Sequence, residues 1–143
     1  MIRHPDSFNQ VLADIRTFVR ERWHPIEREV ETLDQVPEAM VQELRARGFF
    51  GWSIPEAYGG MGMTTEELVS AAFELSQASV ALRARVGTNT GIGSEALVAD
   101  GTPEQKDRWL PRMARGELTG CLALTEPDAG SEATSTVMVR HFP

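Results

Sequence analysis

The sequence predicts a mainly α fold: an amino-terminal helical bundle over residues 1–118, then the first strands of a truncated β-domain over 119–143. Three observations carry this expectation. Apolar residues recur at three- and four-residue steps through most of the stretch from Phe8 to Arg115, the spacing of amphipathic helices. Three helix starts carry capping-box spacing, Ser7 with Gln10, Thr64 with Glu67 and Thr102 with Gln105. Past Gly120 the pattern changes to short runs of Leu, Val and Thr, and the 143-residue length leaves room there only for a fragment of a second domain.

The first helix places Phe8, Val11, Leu12, Ile15, Phe18 and Val19 on one face and is expected to end near Pro25. A second begins at Pro37, suited to a first helical position, and runs through Met40, Val41 and Leu44 to a stop at Gly48. Its charged residues Glu38, Glu43, Arg45 and Arg47 read as a solvated face. Between Phe49 and Met63 the residues Gly51, Pro55, Gly59, Gly60 and Gly62 exclude a regular element, yet Phe49, Phe50, Trp52, Ile54 and Tyr58 are too apolar for a free linker. An ordered, packed connection follows. From Thr64 a third helix is expected to bury Leu68, Val69, Ala72, Phe73 and Leu75 and to end near Ala78.

Between Val80 and Gly101 the residues Ala81, Leu82, Ala84 and Val86 suit a helix that Gly87, Gly91 and Gly93 interrupt. Thr102, Pro103 and Gln105 then open a helix reaching about Arg115, stopped by Gly116. A buried strand is expected over Gly120 to Thr125, a loop over Glu126 to Ser131 and a second strand over Thr134 to Val139, with the domain boundary near Leu118.

An apolar fraction of 41% and a charged fraction of 24% are those of an ordinary globular protein. A formal net charge of -7 argues against nucleic acid, which needs clustered Lys and Arg not offset by carboxylates. Cys121 is the single cysteine, so there is no internal disulfide and no multi-cysteine metal site; it reads as a small buried hydrophobe in a reducing compartment. His4, His24 and His141 stand far apart, without metal-ligand spacing. Met1 to Ser7 shows no export signal, and no apolar run reaches the roughly 18 residues of a membrane-spanning helix. A soluble cytoplasmic protein without a membrane anchor is expected. Trp23, Trp52 and Trp109 read as core or interface anchors.

The chemistry concentrates in Leu124 to Ser131, where backbone amides, the hydroxyls of Thr125 and Ser131, and Gly130 follow a strand. Such a loop can turn N–H groups toward a phosphate or a heterocycle's carbonyl, with glycine permitting close approach. Turn chemistry alone also accounts for the same residues. No nucleophile motif is present, since Ser131 is not in a G-x-S-x-G elbow.

The run Gly101-Thr102-Pro103-Glu104-Gln105-Lys106, then Trp109-Leu110-Pro111, Gly116-Glu117 and Gly120 through Ala133 with its Leu-Thr-Glu-Pro-Asp-Ala-Gly-Ser core, resembles the signature of acyl-CoA dehydrogenases. Upstream, Pro55-Glu56-Ala57-Tyr58-Gly59-Gly60-Met61-Gly62 is similar to that family's first interhelix segment. The likeness covers nearly the whole chain. It implies a helical domain followed by a central β-domain and a second helical domain, with FAD between the last two and across a subunit interface. Leu122, Leu124 and Thr125 would face the flavin ring, and Gly130 and Ser131 would lie near the FAD pyrophosphate and the thioester. Thr88 and Ile92, one helical turn apart, would line the acyl cavity.

The resemblance further implies an acyl-CoA substrate, an electron-transfer flavoprotein as acceptor and a homo-oligomer. The family's usual catalytic Glu lies beyond residue 143, so no catalytic residue is assigned here, and this chain is expected to be inactive by itself. A helical packing or interaction module without catalysis is the competing reading, and a related acyl-CoA oxidase or nitroalkane oxidase is a third. The absence of a His near Gly87 or Thr88, common in the family, leaves the substrate subclass open.

Overall fold

The computed structural model describes residues 2–121, Thr125 and Pro127. Helix α1, Pro5–Phe18, starts on Pro5, whose missing N–H costs nothing in a first turn. Ser7 therefore falls inside that turn and its hydroxyl donates to the His4 carbonyl at 3.1 Å, so the expected Ser7–Gln10 capping box does not form. The helix also passes Pro25 instead of ending there. A π turn over Val19–Trp23 and a 3-10 turn over His24–Ile26 carry it into α2, Glu27–Leu33. Pro25 sits in the opening positions of that tighter turn, where no helical N–H is required.

Asp34, in the left-handed conformation at φ 49°, ends α2, and Gly48 at φ 70° follows α3, Glu38–Ala46. The charged residues of α3 are paired as well as solvated: Glu43 meets Arg47 at 2.8 Å and Arg22 at 3.1 Å, and Arg45 meets Glu38 at 2.9 Å. The 49–63 connection is ordered and packed, as its composition requires. Phe50, Trp52 and Ile54 are buried in it, and the Phe49 ring meets Phe18 edge-on at 5.2 Å. Backbone donation from Met61 to Gly51 (2.8 Å) and from Met63 to Trp52 (2.7 Å) folds the segment on itself. Gly60 makes the crossing possible, because a Cβ there would lie 2.0 Å from the Ile54 carbonyl oxygen.

Helix α4, Thr65–Leu75, opens with both hydrogen bonds of the Thr64–Glu67 capping box. It buries Glu67, Ala71 and Leu75, an i, i+4, i+8 ridge, while Val69 and Phe73 are 64% and 70% exposed. The expected buried stripe was too wide: Val69 and Phe73 lie on the opposite side of the helix from that ridge. Helix α5 spans Val80–Gly87, turns occupy 88–94, α6 spans Glu95–Asp100, and α7 spans Pro103–Ala114 behind a complete Thr102–Gln105 capping box. Ile15, Phe18, Trp23, Leu44, Phe50, Leu75, Leu82 and Val86 share one core, and Ile54, Leu110, Met113 and Ala114 form a smaller cluster beneath α7.

No strand is present among the described residues; Gly120 and Cys121 are irregular, while Leu122 to Leu124 and Thr134 to Val139 lie outside the described residues. Cys121 is exposed, contrary to its reading as a buried hydrophobe, because the chain leaves α7 across the molecular surface. No helix among the described residues is long and apolar enough to cross a membrane.

Candidate functional site

The place where the chain leaves α7 is held with unusual care for a surface segment. Asn89, 1% exposed, donates from Nδ2 to the carbonyls of Met113 (3.2 Å) and Leu118 (2.7 Å), and its Oδ1 accepts from the Gly120 amide (3.0 Å). One neutral side chain thus satisfies three backbone groups that would otherwise be stranded near the interior. Arg45 donates to the Gly116 carbonyl at 3.0 Å, and Arg85 reaches the Thr119 hydroxyl at 3.4 Å. The 88–94 turns and the exit segment then touch backbone to backbone. A Cβ on Gly93 would lie 3.0 Å from the Gly120 Cα, and one on Gly120 would lie 2.6 Å from the Gly93 Cα. Gly93 and Gly120 are therefore a matched pair whose bareness sets the approach.

Beside this contact lies a groove of about 340 Å³ whose lining includes Ile92, Leu97, Gln105, Trp109 and Cys121. Ile92 is 63% exposed, a large apolar side chain presented to the groove instead of the core. Arg108 stacks on the Trp109 ring with its guanidinium carbon 4.4 Å from the centroid, stiffening that wall. Glu117, at the foot of the exit, is held below the ordinary carboxylate range mainly by its hydrogen bond to Arg115.

Of the residues singled out from sequence, Ile92 stands in the groove and Thr125 is exposed beyond it. Thr88 does not join them: it is not among the groove's lining residues, and its hydroxyl donates to the Ala84 carbonyl at 2.7 Å. Turns replace helix over 88–94, so the one-turn spacing that would have put Thr88 and Ile92 on one face does not apply. Leu122, Leu124, Gly130 and Ser131 lie outside the described residues. Sequence reasoning missed Asn89 and named Trp109 only as a core or interface anchor. No periodic signal marks Asn89, since its immediate neighbours are only half-buried.

A small helical domain, capped at α4 and α7 and with a clamped exit from α7, is the class of module defined here. Residues 5–117 match the family described as acyl-CoA dehydrogenase, N-terminal domain, and the chain belongs to that family. It is 32% identical over 121 residues to an acyl-CoA dehydrogenase of Bacillus subtilis, covering 85% of this chain and 32% of that protein. It is 40% identical over 119 residues to a 3-(aryl)acrylate reductase of Clostridium sporogenes, covering 82% and 31%. The crystal structure of an acyl-CoA dehydrogenase complexed with FAD from Bacillus anthracis superposes with a TM-score of 0.80 at 28% identity, covering 94% of this chain and 23% of that one. The chain spans about a third of the length of these two sequence relatives.

Proposed function

We propose that this chain is the amino-terminal part of an FAD-dependent acyl-CoA dehydrogenase that desaturates acyl-CoA thioesters between the α and β carbons. Residues 1–118 are its helical domain, and the β-domain begins at 119. The observation that carries the reading is the family match over 5–117. The exit clamp supports it, because Asn89 holds the Gly120 amide five residues before Thr125 in the chain. The exposed hydroxyl of Thr125 suits the polar edge of a flavin ring.

Thr125, with backbone groups of Leu122 and Leu124, would hold the flavin ring, and Gly130 and Ser131 its pyrophosphate; FAD, when bound, accepts the hydride from the β carbon. Ser131 and Ile92 would lie toward the substrate. Removal of the α proton needs a carboxylate whose proton affinity matches that task. The shifted carboxylates among the described residues are poor matches. Arg16 holds Glu74 below its ordinary range, and Arg115 does the same for Glu117. Burial pushes Glu43 up, but Arg47 and Arg22 outweigh it and the net shift is downward. The base is therefore assigned to none of these, and the 143 residues alone are expected neither to turn over acyl-CoA nor to hold FAD tightly. An electron-transfer flavoprotein as electron acceptor, a homo-oligomeric state and a cytoplasmic location complete the reading.

The test is purification of the chain with added FAD, visible absorbance, and reduction by a panel of acyl-CoA thioesters. Weak or absent flavin with no bleaching is expected. Stoichiometric flavin that bleaches with substrate would show that an acid within these residues serves as the base. In the enzyme that contains this chain, Thr125→Ala and Ser131→Ala should each weaken FAD by about 1 kcal/mol, more for a phosphate contact. Unchanged flavin affinity in both variants would remove the loop assignment.

A further inference from the structure

Trp52 is 2% exposed, and its Nε1–H is buried with no acceptor among the described residues. Trp23, equally buried, donates to the Ser79 hydroxyl at 3.2 Å, so the fold does satisfy an indole where a partner is intended. A buried donor left unpaired costs stability, and a native structure that keeps one usually has a ligand or water for it. Trp52 lines a narrow cavity of about 60 Å³ together with Leu68, Leu75, Arg83, Val86 and Thr90.

Arg83 is the second uncommitted donor there. Arg16, Arg22, Arg45, Arg47 and Arg115 each pair with a carboxylate, whereas Arg83 has neither ion pair nor hydrogen bond among the described residues. Its guanidinium lies over Gly87, where an added Cβ would be 1.5 Å from Nη1. Any larger residue at 87 would push that cation aside. The Thr90 hydroxyl already donates to the Val86 carbonyl at 3.3 Å, and no carboxylate lines the cavity. The walls otherwise are aliphatic, which strengthens any charge pairing made inside.

We propose that this cavity between the 49–63 connection, α4 and α5 binds a small carboxylate, received by the Trp52 indole N–H and the Arg83 guanidinium. Among the lining side chains only the Thr90 oxygen can accept, and the Trp52 N–H is not bonded to it, so the indole still calls for an acceptor. Arg83 is exposed and stands at the cavity with positive charge that no carboxylate neutralises, which favours an anion over a water molecule. The cavity volume suits a group of acetate size better than a larger anion. The chain's net charge of -7 opposes anions only at long range, where physiological salt screens it beyond about 8 Å. The proposal is independent of the flavin reading, since neither Trp52 nor Arg83 belongs to the loop assigned to FAD.

The experiment is an acetate titration of the 15N-labelled chain at pH 7, followed through the indole N–H signals of the three tryptophans. Trp52→Phe identifies the Trp52 signal by its loss. Acetate should shift that signal saturably while leaving that of Trp23 in place, and chloride at matched ionic strength should not. Arg83→Gln, an exposed substitution that leaves the fold intact, should weaken acetate at least tenfold; Gly87→Ala should weaken it in the same direction. No saturable shift, an equal response to chloride, or undiminished affinity in Arg83→Gln would overturn the site. So would water cross-relaxation at the Trp52 N–H that persists in saturating acetate, which would show a buried water only.

Discussion

Two buried polar side chains do opposite kinds of work in this fold. Glu67, 3% exposed, anchors the beginning of the chain: it accepts from the amides of Arg3 at 3.0 Å and Thr64 at 2.8 Å and faces the Arg3 guanidinium at 3.5 Å. Asn89, 1% exposed, anchors the chain's exit from α7 with three backbone bonds and no charge. The carboxylate gains strength from charge assistance but makes its anchor depend on pH. The amide is indifferent to pH, and it stands at the end where the exposed Thr125 follows. The exit from α7 is thus tied by a group that does not titrate.

The largest effect expected from this contrast is at Asn89. We predict that Asn89→Leu, similar in size, strands the Met113 and Leu118 carbonyls and the Gly120 amide and costs about 3 kcal/mol, at roughly 1 kcal/mol per lost bond. Urea denaturation should show a lower midpoint with an unchanged slope. A midpoint equal to that of the unmodified chain would mean that the exit does not depend on this clamp.

A smaller, pH-dependent effect is predicted at Glu67. Burial pushes its carboxyl up, but the Arg3 and Thr64 amides, the Thr64 hydroxyl and the Arg3 charge outweigh that, so its pKa falls below the ordinary 4.5. A depressed folded-state pKa means stability fully present above the unfolded value and lost as pH falls from about 4.5 through the folded value. Glu67→Gln keeps one acceptor oxygen and turns an NH2 toward the other amide, costing about 1–2 kcal/mol at pH 7. The gap between the two proteins should close as pH drops below 4.5, measured as thermal midpoints across pH 3–7. A gap constant over that range would refute the anchor's charge dependence.

What could be read from the sequence divides along the same physical line. The Thr64–Glu67 and Thr102–Gln105 caps were legible because the partners lie three residues apart, and at Glu67 the second carboxylate oxygen takes the distant Arg3 amide without breaking the cap. Ser7–Gln10 has identical spacing, yet Pro5 starts its helix earlier, a local competition that the spacing ignores. The packed 49–63 segment was legible from its aromatic and glycine content, but the crossing over Gly60 was not, since Ile54 and Gly51 approach only after the chain turns. In the candidate site Ile92 could be named, whereas Asn89 acts on residues 24 to 31 positions away and leaves no periodic trace. Cys121 was misread because burial was judged from residue type, and the route of the chain out of α7 decides its exposure.

The smallest expected effect tests the correction to α4. Val69 and Phe73 were expected in the core from their apolar character, but the Glu67–Ala71–Leu75 ridge occupies the inward face and leaves them 64% and 70% exposed. Truncating an exposed aromatic removes little buried area, and alanine is a better helix former than phenylalanine by up to about 0.7 kcal/mol. Phe73→Ala is therefore predicted to change stability by no more than about 0.5 kcal/mol, in the stabilising direction if at all. Leu75, two residues on and fully buried, provides the internal standard, since Leu75→Ala should cost about 2–5 kcal/mol through the cavity it leaves. Urea unfolding of both variants under one set of conditions decides the matter. If Phe73→Ala loses as much as Leu75→Ala, then α4 presents the wider stripe that its sequence implied, and something covers its outer face.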